Sequence, residues 1–215
     1  MGTSNPEINA PFVWIPIRSL SSRHRSRILA HLLALTESDR YLRFGYHASD
    51  AQIGLYVDRL DFDRDEVFGV FNRRLALIAI AHLAYGPEPA PGATALQASR
   101  SREAEFGVSV AARARGRGYG ARLFDHAVLH ARNRGVDTLI IHALSENVTM
   151  LRIAHRAGAT LDREGGDTEA RLKLPPDSLA TRVDQVLQAQ AAEWDYQLKS
   201  GAMQLEALKD LFAKK

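Results

Sequence analysis

The sequence predicts a mixed α/β domain: a largely antiparallel central sheet flanked by helices, with a helical extension at the C-terminus. Three observations carry this. Apolar period-2 and period-3.6 segments follow one another as a strand, two helices, three strands and then alternating helix and strand. Two β-rich runs flank Asn72-Arg73-Arg74, which reads as a hairpin turn. A glycine-rich run, Arg115 to Gly120, follows one strand and opens a helix, the arrangement of a strand–helix–strand crossover.

The elements follow in order. Phe12 to Ile17 (FVWIPI) reads as a first strand, and Pro16 suits an edge because it has no N–H to give a neighbour. Ser21 to Leu35 places Ile28, Leu29, Leu32, Leu33 and Leu35 at helical spacing, with a basic outer face. Ser49-Asp50 can cap a second helix bearing Ile53, Leu55, Tyr56, Val57 and Leu60. Glu66–Phe71 and Leu75–Tyr85 are the hairpin strands, and the Pro- and Gly-rich stretch 86–101 is a loop. Glu105–Val110 is a strand, Gly118–Arg132 a helix, Leu139–Ala143 a strand and Asn147–Arg156 a helix. Thr160–Glu164 and Ala170–Leu174 are short strands around Gly165-Gly166.

Pro175-Pro176 marks the best boundary, so the expected organisation is an extended N-terminus over 1–11, a domain over 12–174 and a helical extension over 175–215. From Leu179 to Phe212 apolar residues step by three or four and form one stripe. A lone helix with one apolar face is marginal in water, so a two-fold dimer through this helix is expected. A kinked pair packed back on the sheet is the alternative, with Ser200-Gly201 as the break.

Composition narrows the function classes. The chain has 215 residues, 46% apolar and 25% charged, as in ordinary globular domains. It has no cysteine, which excludes disulfides, thiolate metal sites and a thiol nucleophile. No apolar run approaches the roughly 20 residues a membrane helix needs, and no basic-then-apolar leader is visible, so a cytoplasmic protein is expected. His126, His130 and His142 show no trusted metal spacing, and no metal is expected. The net charge of +3 is small, and aromatics are not interleaved with the arginines, which argues against nucleic acid. The excess is local: residues 111–174 carry 11 basic and 7 acidic side chains. An anion site in that region is plausible on physical grounds.

The run Arg115-Gly116-Arg117-Gly118-Tyr119-Gly120 has the chemistry of such a site. Glycines let a backbone approach a ligand closely, and the first turn of a helix offers unpaired N–H groups to an anion. Gly116-x-Gly118-x-x-Ala121 formally matches the dinucleotide fingerprint, but Ala111 to Arg115 separates it from the strand it should follow directly. Arg115-x-x-Gly118-x-Gly120 matches the other pattern, [Q/R]-x-x-G-x-[G/A]. About 30 residues on stands Asn147-x-x-Met150-x-x-Ile153-x-x-x-x-Gly158.

With these two motifs in this order, residues 12–174 resemble the GNAT superfamily of acetyl-CoA-dependent acyltransferases, nearest in pattern to the catalytic domain of bacterial protein-lysine acetyltransferases. The resemblance implies direct transfer of acetyl from acetyl-CoA to an amine, either a small molecule or a protein lysine. It implies a strand splayed from its neighbour, whose residues Val108, Ser109 and Val110 pair with the pantetheine arm. It further implies that Arg115, Gly116, Arg117, Gly118, Tyr119 and Gly120 cradle the pyrophosphate and that Asn147 contacts the arm. Glu105 takes the position of the general base, with Glu103 as fallback, and the Val110 N–H that of the oxyanion donor. Relatives often carry a tyrosine seven residues after the asparagine to protonate the leaving thiolate; here that position is Ala154. This departure keeps open a second reading, a non-catalytic acyl-CoA-binding regulatory module.

Overall fold

The computed structural model describes residues 15–87, 91–92, 94, 102–175 and 199. The expected C-terminal helix, with its dimer or fold-back alternatives, therefore lies outside the described residues, as do most of the 86–101 loop and residues 1–11.

Seven strands form one sheet. They are β1 (Arg18–Leu20), β2 (Glu66–Phe71), β3 (Leu77–Tyr85), β4 (Glu103–Val110), β5 (Thr138–Leu144), β6 (Thr160–Glu164) and β7 (Asp167–Lys173). Their spatial order is β1-β2-β3-β4-β5-β7-β6. Every neighbouring pair is antiparallel except β4 and β5. The helices are α1 (Arg25–Leu33), α2 (Glu37–Phe44), α3 (Asp50–Asp58), α4 (Tyr119–Asn133) and α5 (Val148–Arg156). The β4–α4–β5 crossover is the one foreseen from the glycine run.

Strand alternation divides the core between the two faces of the sheet. On one face Phe68, Phe106 and Leu139 pack with Leu123, Phe124 and Leu151 of α4 and α5. On the other, Val67, Phe71 and Ile80 pack with Ile28, Leu32 and Ile53 of α1 and α3. Local chemistry sets the helix starts. Ser49 and Gln52 form a reciprocal capping box on α3, and Asn147 accepts from the Met150 N–H at the start of α5.

Strands β4 and β7 begin earlier than read, at Glu103 and Asp167, and three further departures have a visible cause. The first strand lies at Arg18–Leu20 rather than Phe12–Ile17: residues 12–14 are outside the described set, and Ile15 to Ile17 are not strand. Burial of Leu20 against α1 sets the β1 register, and Pro16 has no N–H to extend the ladder. The second hairpin strand starts at Leu77, not Leu75. The Asn72 carboxamide accepts from the Arg74 and Ala76 N–H groups and draws both into the turn, and Leu75 adopts φ +53°. Helix α2 was not foreseen. None of its residues is buried, so it shows no apolar run; its signals are the Thr36 cap, acidic Glu37 and Asp39, and left-handed Gly45 at its end.

Phe106 is 2% exposed and meets Phe124 edge-on at 5.2 Å. Phe106→Ala should cost about 3–5 kcal/mol, the usual scale for emptying a buried aromatic site, read from urea unfolding midpoints.

Candidate active site

The parallel ladder between β4 and β5 is short. Glu103, Ala104 and Glu105 pair with Thr138, Leu139 and Ile140, and no pairing continues beyond them. The Ala111 N–H donates to the Ile78 carbonyl on β3 at 2.9 Å. Counting back along an extended strand, the main-chain groups of residues 109, 107 and 105 face β3, and those of Phe106, Val108 and Val110 face β5. Past the last pair the groups of Val108 and Val110 find no strand partner among the described residues. The two strands thus splay, and a cavity of about 680 Å³ opens between them, lined among others by Val108, Ile141, Leu144 and Asn147.

The glycine run stands beyond the upper end of β4. Gly116 and Gly118 have φ of +74° and +77°, a left-handed backbone that glycine adopts without strain. Among the described residues, no hydrogen bond to a main-chain carbonyl is seen from the N–H groups of Gly116, Gly118, Tyr119 and Gly120, and Gly118 is the N-cap of α4. The loop therefore offers a row of donors at a helix N-terminus, with exposed Arg117 beside them. Tyr119 begins α4 and packs against the core. The Cβ that a larger residue would bring at Gly120 meets Ile153 at 3.6 Å, so the two sequence motifs touch here.

Arg115 does something the motif alone does not reveal. Its guanidinium makes an ion pair with Asp39 on α2, and its Nε donates to the Val110 carbonyl at 3.3 Å. Burial works to raise the Asp39 pKa, but hydrogen bonds from Arg115 and Thr36 hold it below the usual carboxylate range. Arg115 thus ties α2 to the end of β4.

The other sequence-named residues divide. Glu105 is exposed and lines the cavity, and no hydrogen bond or ion pair to its side chain occurs among the described residues. Glu103 is engaged with Arg171 at 3.3 Å. The structure does not bring the Ser109 side chain to the splay: its hydroxyl is buried against His31 Nε2 at 2.9 Å, on the α1 face. Asn147 lines the cavity, but its amide is already used, accepting from Met150 and donating to the Leu42 carbonyl at 3.4 Å. Ala154 is fully buried, whereas His155 is exposed. His126 and His130 stack edge-on against Phe68, and His130 Nδ1 meets Glu66 at 2.7 Å.

Sequence reasoning missed a polar chain on the same face as Glu105. Asp65 Oδ2 meets His82 Nε2 at 3.1 Å, and His82 Nδ1 meets the Tyr56 hydroxyl at 2.9 Å. Arg43 Nη2 donates to that hydroxyl at 2.9 Å. A Cβ at position 107 would lie 2.6 Å from the Arg43 guanidinium, so Gly107 gives it room to rest on β4. These residues come from two helices, a loop and a strand, and no local spacing announces them. Burial works to raise the Asp65 pKa, but hydrogen bonds from His82, Arg64 and the Tyr85 N–H overcome it and leave the carboxyl far below the ordinary range. The cavity is acidic in sum: Glu105, Asp162, Glu164, Asp167 and Glu169 line it, against Arg43 and His142.

A family model described as the acetyltransferase (GNAT) family matches residues 32–159. No curated protein matches the chain. Among solved structures, the GNAT domain of S. lividans PAT is similar at 23% identity and a TM-score of 0.59, over 74% of this chain and 89% of that one. The Salmonella typhimurium protein yncA, solved with its cofactor acetyl-CoA, is similar at 14% identity and a TM-score of 0.55, over 77% and 97%. The ribosomal-protein-alanine N-acetyltransferase of Brucella melitensis is similar at 18% identity and a TM-score of 0.52, over 74% and 99%. These are likenesses of fold.

Two outcomes are expected. Gly118→Val should abolish acetyl-CoA binding in calorimetry, since it forces a β-branched residue to φ +77° in the donor row. No atom stands within 4 Å of the new Cβ, so thermal unfolding should remain cooperative. Asp65 has a depressed folded-state pKa, so its stabilising contribution is complete above the ordinary carboxylate value of about 4 and is lost as pH falls below it. Asp65→Asn should therefore flatten the fall of the urea midpoint below about pH 4.

Proposed function

The chain belongs to the GNAT acetyltransferase family, and from that premise we propose that it transfers the acetyl group of acetyl-CoA directly to a cationic amine, a protein lysine or a small-molecule amine. The observation that carries this reading is the splay. A parallel ladder that stops at Glu105 leaves an unpaired strand edge beside a carboxylate in an acidic cavity.

The chain's own groups fit the cosubstrate. The main-chain groups of Val108 and Val110 that face the gap can pair with the amides of a pantetheine arm as a further strand would. The Val110 carbonyl is shared with Arg115, but its N–H faces the gap, where it can donate to the oxyanion that develops on the thioester carbonyl. The N–H row of Gly116 to Gly120 and exposed Arg117 suit a pyrophosphate. Asn147 stands where it can face the arm, though its carboxamide also braces α2. Acetyl-CoA brings the activated acyl group, and the protein aligns the amine and removes its proton.

That proton is the chemical obstacle. A lysine amine has a reference pKa of about 10.4 and is charged near neutrality. The five carboxylates attract the charged form into the cavity, and Glu105, unpaired and exposed, accepts the proton directly or through one water. Glu103 is less available as a base because its carboxylate is engaged by Arg171.

One observation favours a second reading, a non-catalytic acyl-CoA-binding module: Ala154 is buried, and no acid for the thiolate stands at that position. An assay of CoA release separates the two. Lysine peptides and polyamines should be turned over and neutral or acidic acceptors should not; binding without turnover on any amine supports the module. Glu105→Gln should lower turnover by about 10²-fold or more and leave acetyl-CoA affinity in place.

A further inference from the structure

The chain Arg43, Tyr56, His82, Asp65 ends on the cavity, and the direction of each of its hydrogen bonds follows from the donors and acceptors present. Asp65 is ionised, with its side chain 3% exposed, so it only accepts, and His82 Nε2 carries the hydrogen between them. A neutral imidazole protonated at Nε2 presents a lone pair at Nδ1. The Tyr56 hydroxyl therefore donates to Nδ1 across 2.9 Å. Arg43 has only donors, so it fills one of the two lone pairs on the Tyr56 oxygen. One lone pair is left, and Tyr56 lines the same cavity as Glu105.

We propose that the Tyr56 oxygen orients the acceptor amine by accepting one of its N–H bonds beside Glu105, and that the Asp65–His82 pair sets the polarity of that contact. The substrate class rests on the acetyl-transfer reading; the polarity device does not. In the register, His82 stands opposite Gly107 and Glu105 opposite Ala84, so His82 and Glu105 are diagonal neighbours on one face of the sheet. An amine between Tyr56 and Glu105 meets two acceptors, which fixes the direction of its lone pair for attack.

The arrangement works only with a neutral imidazole. A protonated His82 has a hydrogen on Nδ1, and the Tyr56 oxygen must then accept from both His82 and Arg43. Its own hydrogen turns to the cavity, and the acceptor becomes a donor facing an ammonium. The groups that bear on His82 are Asp65 with its partner Arg64, Tyr56 from α3, Arg43 from α2 and Glu105 from β4; β2 presents only Val67 opposite it.

The test uses the full chain with spermidine and a lysine peptide as acceptors. Tyr56→Phe keeps the ring that packs edge-on with Phe44 at 5.4 Å. It should raise the KM for amine by about 10-fold, the scale of one lost hydrogen bond, and leave the KM for acetyl-CoA unchanged. An unchanged amine KM overturns the proposal. Nitrogen NMR of the His82 imidazole reads the polarity without turnover: Nε2 should carry the hydrogen and Nδ1 should not at pH 8, with both signals shifting as spermidine is added. A hydrogen on Nδ1 at that pH, or no response to spermidine, overturns it. Absence of turnover on every amine would instead overturn the acetyl-transfer reading, and the NMR outcome would then stand by itself.

Discussion

The ladder between β4 and β5 holds for three residues and then lapses, and the rest of the site depends on that lapse. A parallel pair that continued to Val110 would close the sheet and fill the cavity with main-chain hydrogen bonds. Instead each strand takes its full complement of partners from the other side. β3 pairs with β4 from Tyr85 to Ala79, and β7 pairs with the whole length of β5. The two halves of the sheet are thus stable without one another along the open edge. The main-chain groups of Val108 and the Val110 N–H can be left for a ligand because the sheet does not need them to cohere.

Two cross-links hold the open end in shape. Arg115 ties the glycine loop to Asp39 on α2 while capping the Val110 carbonyl, and the Asn147 amide reaches the Leu42 carbonyl from across the splay. Helix α2 has no buried residue, so its position owes more to these polar ties and to Arg43 on Gly107 than to an apolar face. The helix that flanks the acceptor side of the cavity is therefore coupled to the loop expected to hold the pyrophosphate. Binding at that loop can bear on acceptor geometry through a single guanidinium, since Arg115 serves both.

Charge is distributed along the cleft in the same sense. Arg113, Arg115, Arg117 and Arg122 fall in and around the glycine loop, while the hairpin of β6 and β7 brings Asp162, Glu164, Asp167 and Glu169 to the cavity. The net charge of +3 conceals this, because opposite local fields cancel in the sum.

By itself the sequence determined everything that local chemistry and short periodicity can encode. It announced the sheet-and-helix order, the Asn72 turn, the cap of α3 and the glycine run at the start of α4, since each rests on residues a few positions apart. It also announced the pairing of the two motifs, which meet at Gly120 and Ile153. What depends on residues far apart was left to the tertiary structure. Only the fold shows that the Ser109 hydroxyl belongs to His31, that Glu103 is held by Arg171, and that Glu105 stands unpaired in the cavity. Helix α2 escaped notice because it is held by polar contacts to Arg115, Tyr56 and Asn147 rather than by an apolar stripe. The Arg43–Tyr56–His82–Asp65 chain was invisible for the same physical reason. Hydrogen-bond direction is set by which donors face which acceptors in space, and its members lie on four separate elements that only the closed sheet brings within 3.1 Å of one another.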